Sequence, residues 1–276
     1  MVLIQNLKFS YGKQAVFNNV NLQLESGKIY GLLGQNGVGK TTLLKIISGF
    51  LKVGKDECTV KGYSPFERSP LFLENVIFVP EDFIAPDTIV NDYAKFRGEF
   101  YPKYDSNKFG RLMNDFEVNG NYKFNNLSYG QQKKALIAFA LSTNTNLILL
   151  DEPSNGLDIP SKSQLRKVVS EASTDDSCII ISTHQVRDLE NLIDPIIILD
   201  KNGVLLNESI ERISQKLLFS FASIPDNSAL YNESTPGGYI SVRKNESDME
   251  TRVNIEALFN TTLKNRTKIS ELFGKY

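Results

Sequence analysis

The sequence predicts an α/β protein with a parallel sheet, an antiparallel β segment at its front and a helical block inserted in its middle. Three observations predict this. Short apolar runs suited to buried strands, "KIYGLLG" (28–34), "NLILLDEP" (146–153) and "SCIIISTH" (177–184), alternate with stretches of helical spacing. A glycine-rich segment ends the first run and opens a helix. Residues 86–143 carry apolar residues at helical spacing, as a subdomain placed between strands of the sheet would.

The elements follow in order. "VLIQNLKFSY" and "VFNNVNLQLE" read as two strands parted by a "GKQA" turn. "KTTLLKIISGF" (40–50) has helical spacing, and short strands are expected near "CTV" (58–60) and "NVIFVP" (75–80). In the helical block, Val90, Tyr93, Phe96 and Phe100 recur at helical spacing, as do Phe109, Leu112, Met113 and Phe116. A third helix begins at Ser128. "PIIILDKNGVLLNES" (195–209) reads as a hairpin turning at Asn202-Gly203. These residues form one domain, 1–211. From about residue 212 the composition loosens, and residues 212–276 are expected to form a small C-terminal appendage. There "KLLFSFAS" and "YISVRK" read as strands on either side of a polar, Gly/Pro-bearing stretch, and "VNIEALFNTTL" (253–263) as an amphipathic helix.

Composition excludes several classes. The 276 residues have 41% hydrophobic and 23% charged content, which suits a soluble globular protein. A net charge of −1 gives no general attraction to nucleic acid or anionic lipid. The N-terminus lacks a basic leader and a long apolar region, and no apolar run approaches the ~20 residues that span a bilayer. Cys58 and Cys178 sit in apolar runs and read as buried free thiols of a reducing cytoplasm.

The chemistry begins at "GLLGQNGVGKTTLL", which contains G-x-x-x-x-G-K-[ST] from Gly34 through Gly39 to Lys40 and Thr41, in the strand–loop–helix context that this motif requires. It predicts a P-loop NTPase sheet. Backbone N–H groups of Asn36, Gly37, Val38 and Gly39 would close around phosphates, with Lys40 reaching the β- and γ-phosphates and Thr42 following beside them. The Thr41 hydroxyl would face Mg²⁺. Asp151 and Glu152 stand at the C-terminal end of a buried strand, where open α/β sheets bind ligands. Asp151 suits the Mg²⁺ shell, and Glu152 suits polarising an attacking water. His184, the sole histidine, ends another strand and is placed to bond a γ-phosphate and orient the water. Ser128 and Gln131 have capping-box spacing around Gly130, so a second helix N-terminus is suited to an anion.

Together these residues resemble the nucleotide-binding subunit of an ABC transporter over about residues 1–210. "GQNGVGKTT" resembles its Walker A, "LILLDEP" its Walker B with the catalytic Glu, "SNGLD" (154–158) its D-loop and "STH" (182–184) its H-switch. "LSYGQ" (127–131) is similar to the signature motif, and Tyr11 falls where the family has the aromatic that stacks on adenine. The resemblance implies ATP and Mg²⁺ as cofactors. It also implies a head-to-tail pair of cassettes, as a homodimer or with a second cassette subunit. In that pair Ser128, Gly130, Gln131 and Asp158 contact the ATP held by the other subunit. Two residues depart from the pattern. Tyr129 replaces the first glycine of the usual "LSGGQ", and Glu81 stands where the family has a Gln that ligates Mg²⁺ and links the site to the membrane partner.

The expected function is therefore an ATP-hydrolysing subunit that powers transport through separate integral-membrane permease subunits, held at the inner face of the cell membrane by them. Its short C-terminal extension is closer to exporter cassettes than to importers with long regulatory tails. The alternative is a soluble ATPase of the same family, for example in iron–sulfur assembly. One P-loop argues against the two-cassette ribosomal kind. The lack of sustained heptads or a basic patch argues against a DNA-holding kind, so no nucleic-acid partner is expected.

Overall fold

A computed structural model describes residues 1–201, 203–247 and 249–274. Its centre is a six-stranded sheet in the order β5-β6-β7-β3-β8-β9. Here β3 is Lys28–Leu33, β5 Val76–Val79, β6 Leu147–Asp151, β7 Cys178–Thr183, β8 Ile196–Asp200 and β9 Gly203–Glu208. All neighbouring pairs are parallel except β8 with β9. Every residue of β6, β7 and β8 is buried, as expected of strands covered on both faces. Parallel register brings the C-terminal ends of β3, β6 and β7 to one edge, which gathers the motifs. The β8–β9 hairpin forms as expected, with Gly203 at φ 114°, while Asn202 lies outside the described residues.

The front sheet is antiparallel: β1 (Val2–Tyr11) lies between β2 (Gln14–Leu24) and β4 (Cys58–Val60), in the order β2-β1-β4. It covers α1 (Lys40–Ile47) and one face of the central sheet with a shared apolar core that includes Leu7, Phe17, Leu44, Leu149 and Ile180. Both cysteines are buried and free, and burial pushes each thiol up to about 12. A short α2 (Pro70–Leu73) leads into β5.

The inserted block holds α3 (Val90–Gly98), α4 (Ser106–Asp115) and α5 (Tyr129–Ser142). Asp105 caps α4 by accepting from the Lys108 N–H, a bond the helix itself cannot supply. The buried face of α3 matches its spacing in part: Val90 is buried and Tyr93 packs edge-on against Phe124 and Phe139, but Phe96 and Phe100 do not follow. Val90, Ala94 and Gly98 face inward, whereas Phe96 and Phe100 are 64% and 70% exposed. Tyr104 explains part of this: its ring lies where a Cβ at Gly98 would sit, so the helix presents its small residues inward. After β6, α6 (Ile159–Ala172) is capped by Asp158 and covers the other sheet face.

The boundary expected at 211/212 falls inside α7 (Ile210–Lys216). Beyond it a second antiparallel sheet has the order β10-β12-β11, from Leu217–Ala222, Tyr231–Thr235 (β11) and Gly238–Lys244 (β12). β11 lies in the stretch read as polar loop. Two helices follow, α8 (Ile255–Lys264) and α9 (Arg266–Phe273), the second not foreseen. Their apolar residues Ile255, Leu258, Ile269 and Phe273 join the same core as Ile198 and Leu206 of the central sheet. Arg266 pairs with the buried carboxylate of Asp200 at the end of β8. Among the described residues no helix is long and apolar enough to cross a membrane.

Candidate active site

The loop from Gly34 to Gly39 turns sharply from β3 into α1. Gly39, at φ 110°, takes a left-handed conformation, and a Cβ there would collide with Phe17 and Val16 of the front sheet. This turn aims Lys40 back over the loop. Its Nζ donates to the Gly34 carbonyl (2.8 Å) and lies 3.4 Å from Glu152 Oε1, with both side chains almost fully buried. One residue on, the Thr41 hydroxyl donates to Asp151 Oδ2 (2.7 Å), joining α1 to the end of β6.

Asp151 is 1% exposed, and its second oxygen accepts from the Ser182 hydroxyl of β7 at 2.5 Å. Glu152 follows at φ 43°, a strained backbone for a non-glycine residue. Its amide is fixed by the Ser182 hydroxyl (3.0 Å), and its carboxylate by the His184 side chain, Nδ1 to Oε1 2.9 Å, and the His184 amide, 3.3 Å to Oε2. The chain thus turns the Glu152 carboxylate into the cleft between Lys40 and His184.

Glu81, just beyond β5, also lines this cleft, and its Oε1 accepts from Asn155 Nδ2 (2.7 Å). Tyr11, 48% exposed, stands at the mouth with its ring edge-on to Phe9 and its hydroxyl 3.5 Å from that of Thr42. Asn36, Gly37, Gly39, Lys40, Thr41 and Thr42 complete the wall. Val38 differs: its side chain is 2% exposed and packs in the front core.

Thr41, Asp151 and Glu81 offer hard oxygen donors, the chemistry that suits Mg²⁺. Among the described residues, no group of three or more acidic, His or Cys side chains is arranged to hold a metal alone. That donor set fits an ion which takes one or two carboxylates and completes its shell with water and substrate phosphates.

Ser128, Gly130, Gln131 and Asp158 do not line the cleft. The capping box forms as its spacing predicts: the Ser128 hydroxyl accepts from the Gln131 amide (3.3 Å), and Gln131 Oε1 accepts from the Ser128 amide (3.1 Å). Asp158 accepts from the Ser161 amide and hydroxyl, which hold its carboxyl below the usual range.

Four residues escaped the sequence reading. Ser182 and Asn155 hold Asp151 and Glu81, and Gln185 Nε2 lies 3.4 Å from both His184 Nε2 and Asn155 Oδ1. Lys133 is fully buried and donates to the backbone carbonyls of Glu152 (2.7 Å) and Asn155 (3.2 Å). Burial pushes its ammonium pKa down, against the pull of Glu81, Glu152 and Asp151. The only signal was its place one turn after Tyr129, and a lysine there reads equally well as solvated.

A family model described as ABC transporter matches residues 17–155, from the front sheet through the end of "DEPSN". The chain belongs to the ABC transporter family. Over 272 residues it is 29% identical to an uncharacterized ABC transporter ATP-binding protein of Methanocaldococcus jannaschii, covering 94% of this chain and 97% of that one. It is 29% identical to the lantibiotic transport ATP-binding protein SrtF of Streptococcus pyogenes, covering 76% of this chain and 92% of that one. The solved ATP-binding subunit of an ABC transporter matches with a TM-score of 0.71 at 21% identity, over 77% of this chain and 91% of that chain. A dimeric ATP-binding cassette bound to ADP and Pi matches with a TM-score of 0.66 at 23% identity, over 76% and 98%. At these identities the structural likeness speaks for the ABC cassette fold. As a member of the family, this ABC chain is an ATP-binding ATPase.

Proposed function

We propose that this ABC cassette hydrolyses MgATP to drive transport through separate permease subunits, and that two cassettes close head to tail around the nucleotides. The observation that carries the reading is the convergence of Lys40, of Asp151 and Glu152, and of His184, from three separate motifs, on one cleft edge. Lys40 binds the β- and γ-phosphates as a buried point charge. The backbone of Asn36 to Gly39 surrounds them, and Tyr11 stacks on the adenine. Thr41, Asp151 and Glu81 hold Mg²⁺, which when bound neutralises charge on the phosphates. Glu152 polarises the attacking water, and His184 fixes the carboxylate and the water's orientation. Ser128, Gly130, Gln131 and Asp158 reach the nucleotide of the opposite cassette.

The transport role draws support from relatives whose names speak of lantibiotic transport and linearmycin resistance. The permease tie would place the chain at the inner face of the membrane. A tagged full-length chain extracted from membranes with mild detergent should bring an integral-membrane subunit with it in stoichiometric amount. Recovery only as a free or soluble-partner complex would favour a non-transport role.

A further inference from the structure

Three segments of the site meet around one side chain. Tyr129, the first residue of α5, donates its hydroxyl to the backbone carbonyl of Glu81 at 2.8 Å. Its ring stacks on Phe83, two residues beyond Glu81, with centroids 5.3 Å apart and planes 13° from parallel. The ring also packs tightly against Gly156, where an added Cβ would lie 3.1 Å from it. Below it, Lys133 Nζ stands 5.6 Å from the ring centre and ties α5 to the carbonyls of Glu152 and Asn155. Asn155 closes the circuit by donating to the Glu81 carboxylate. Partial burial beside Asp82 and Glu81 keeps the phenol above its ordinary pKa, so it remains a donor.

A glycine at position 129 would leave the Glu81 loop and α5 without this bond or stack. A tyrosine is a rigid strut, with two side-chain torsions, pinned here at both its ring and its hydroxyl. These contacts join the α5 N-terminus to the Glu81 backbone and, through Lys133, to the strained backbone at Glu152.

We infer that Tyr129 is a positioning residue that couples the α5 N-terminus to the Glu81 loop in cis, so that docking of Ser128 on the partner's nucleotide sets Glu81 at the metal. The inference rests on the proposed roles of Ser128 across the dimer and of Glu81 at Mg²⁺.

Tyr129→Phe in the full chain removes the hydroxyl and keeps the ring stack. The expected result is a kcat about threefold to tenfold lower, the size of one neutral hydrogen bond, with a shifted Mg²⁺ concentration for half-maximal ATPase. KM for ATP and the thermal midpoint should stay unchanged. A merely structural role would move the thermal midpoint and leave the Mg²⁺ titration in place, and that result overturns the coupling. So does a wild-type kcat and Mg²⁺ titration in Tyr129→Phe. A parallel arm compares ATP-driven dimerisation of Ser128→Arg, Glu152→Gln with Glu152→Gln alone. If Ser128→Arg blocks dimerisation while Tyr129→Phe is silent, the coupling fails and the trans reading stands. If dimerisation survives Ser128→Arg, the trans reading fails and takes the coupling with it.

Discussion

Glu152 Oε1 is shared by Lys40 and His184, 3.4 Å from Nζ of one and 2.9 Å from Nδ1 of the other. One carboxylate oxygen therefore joins Lys40 of α1 to His184 at the end of β7. The left-handed backbone at Glu152 makes this possible by turning the side chain out of the line of β6.

The two residues should separate cleanly on substitution. Glu152→Gln keeps the shape and loses the base, so hydrolysis should fall by about 10²–10⁴-fold, the usual contribution of a general base, with ATP still bound. Lys40→Ala should lose ATP binding itself. Fluorescent-nucleotide titration beside phosphate release tests this, and wild-type turnover in Glu152→Gln would remove Glu152 from the chemistry.

Glu81→Gln takes one negative charge from the cleft and leaves an amide that can still bond Asn155. The Mg²⁺ concentration for half-maximal ATPase should change while the thermal midpoint stays. An identical Mg²⁺ titration would place Glu81 outside the metal shell.

Lys133→Met should lower stability by about 1–3 kcal/mol, the cost of leaving buried carbonyls unpaired, read by chemical denaturation. The carbonyls at stake belong to Glu152 and Asn155, so ATPase activity should fall as well. Full activity at reduced stability would separate Lys133 from the site's geometry.

The loose composition after residue 212 predicts a dispensable appendage, whereas the packing predicts the reverse. A chain ending at 211 cuts α7 and removes Leu217, Ile255, Leu258, Ile269 and Phe273 from the core shared with Ile198 and Leu206. It also strips Arg266 from buried Asp200. Each large apolar side chain contributes roughly 1.5–3 kcal/mol, and whole domains are stable by only about 5–15 kcal/mol. The truncated chain should aggregate or melt far below the full one. A soluble fragment that melts and binds ATP like the full chain would make the extension independent.

The sheet and the cleft were legible because their signals are local. A strand buried on both faces must be apolar throughout, as "LILL" and "CIII" are, and a phosphate loop must place its glycines and lysine at fixed spacing. The Ser128 capping box could be read for the same reason. β11 was hidden because "YNEST" alternates half-buried with exposed residues and carries no apolar run. Tyr93 packs inward as its spacing predicts, whereas Phe96 and Phe100 misled because Gly98 admits Tyr104, which lets Ala94 and Gly98 turn inward. Lys133, Asn155 and Ser182 were illegible because their work is defined by partners far along the chain.

In the proposed dimer the Ser128 end of α5 completes the site of an opposite cassette. A helix N-terminus favours an anion by about 0.3–1 kcal/mol when exposed, and more when an interface excludes water. Ser128 and its capping box lie off their own chain's cleft, so Ser128→Arg should leave monomer affinity for ATP nearly unchanged while blocking closure of the pair. The decisive measurement is light scattering with MgATP on Glu152→Gln and on the Ser128→Arg, Glu152→Gln double variant. Glu152→Gln should form a dimer and the double variant should stay monomeric, at equal ATP occupancy; equal dimerisation of the two would mean that this helix end plays no part in trans.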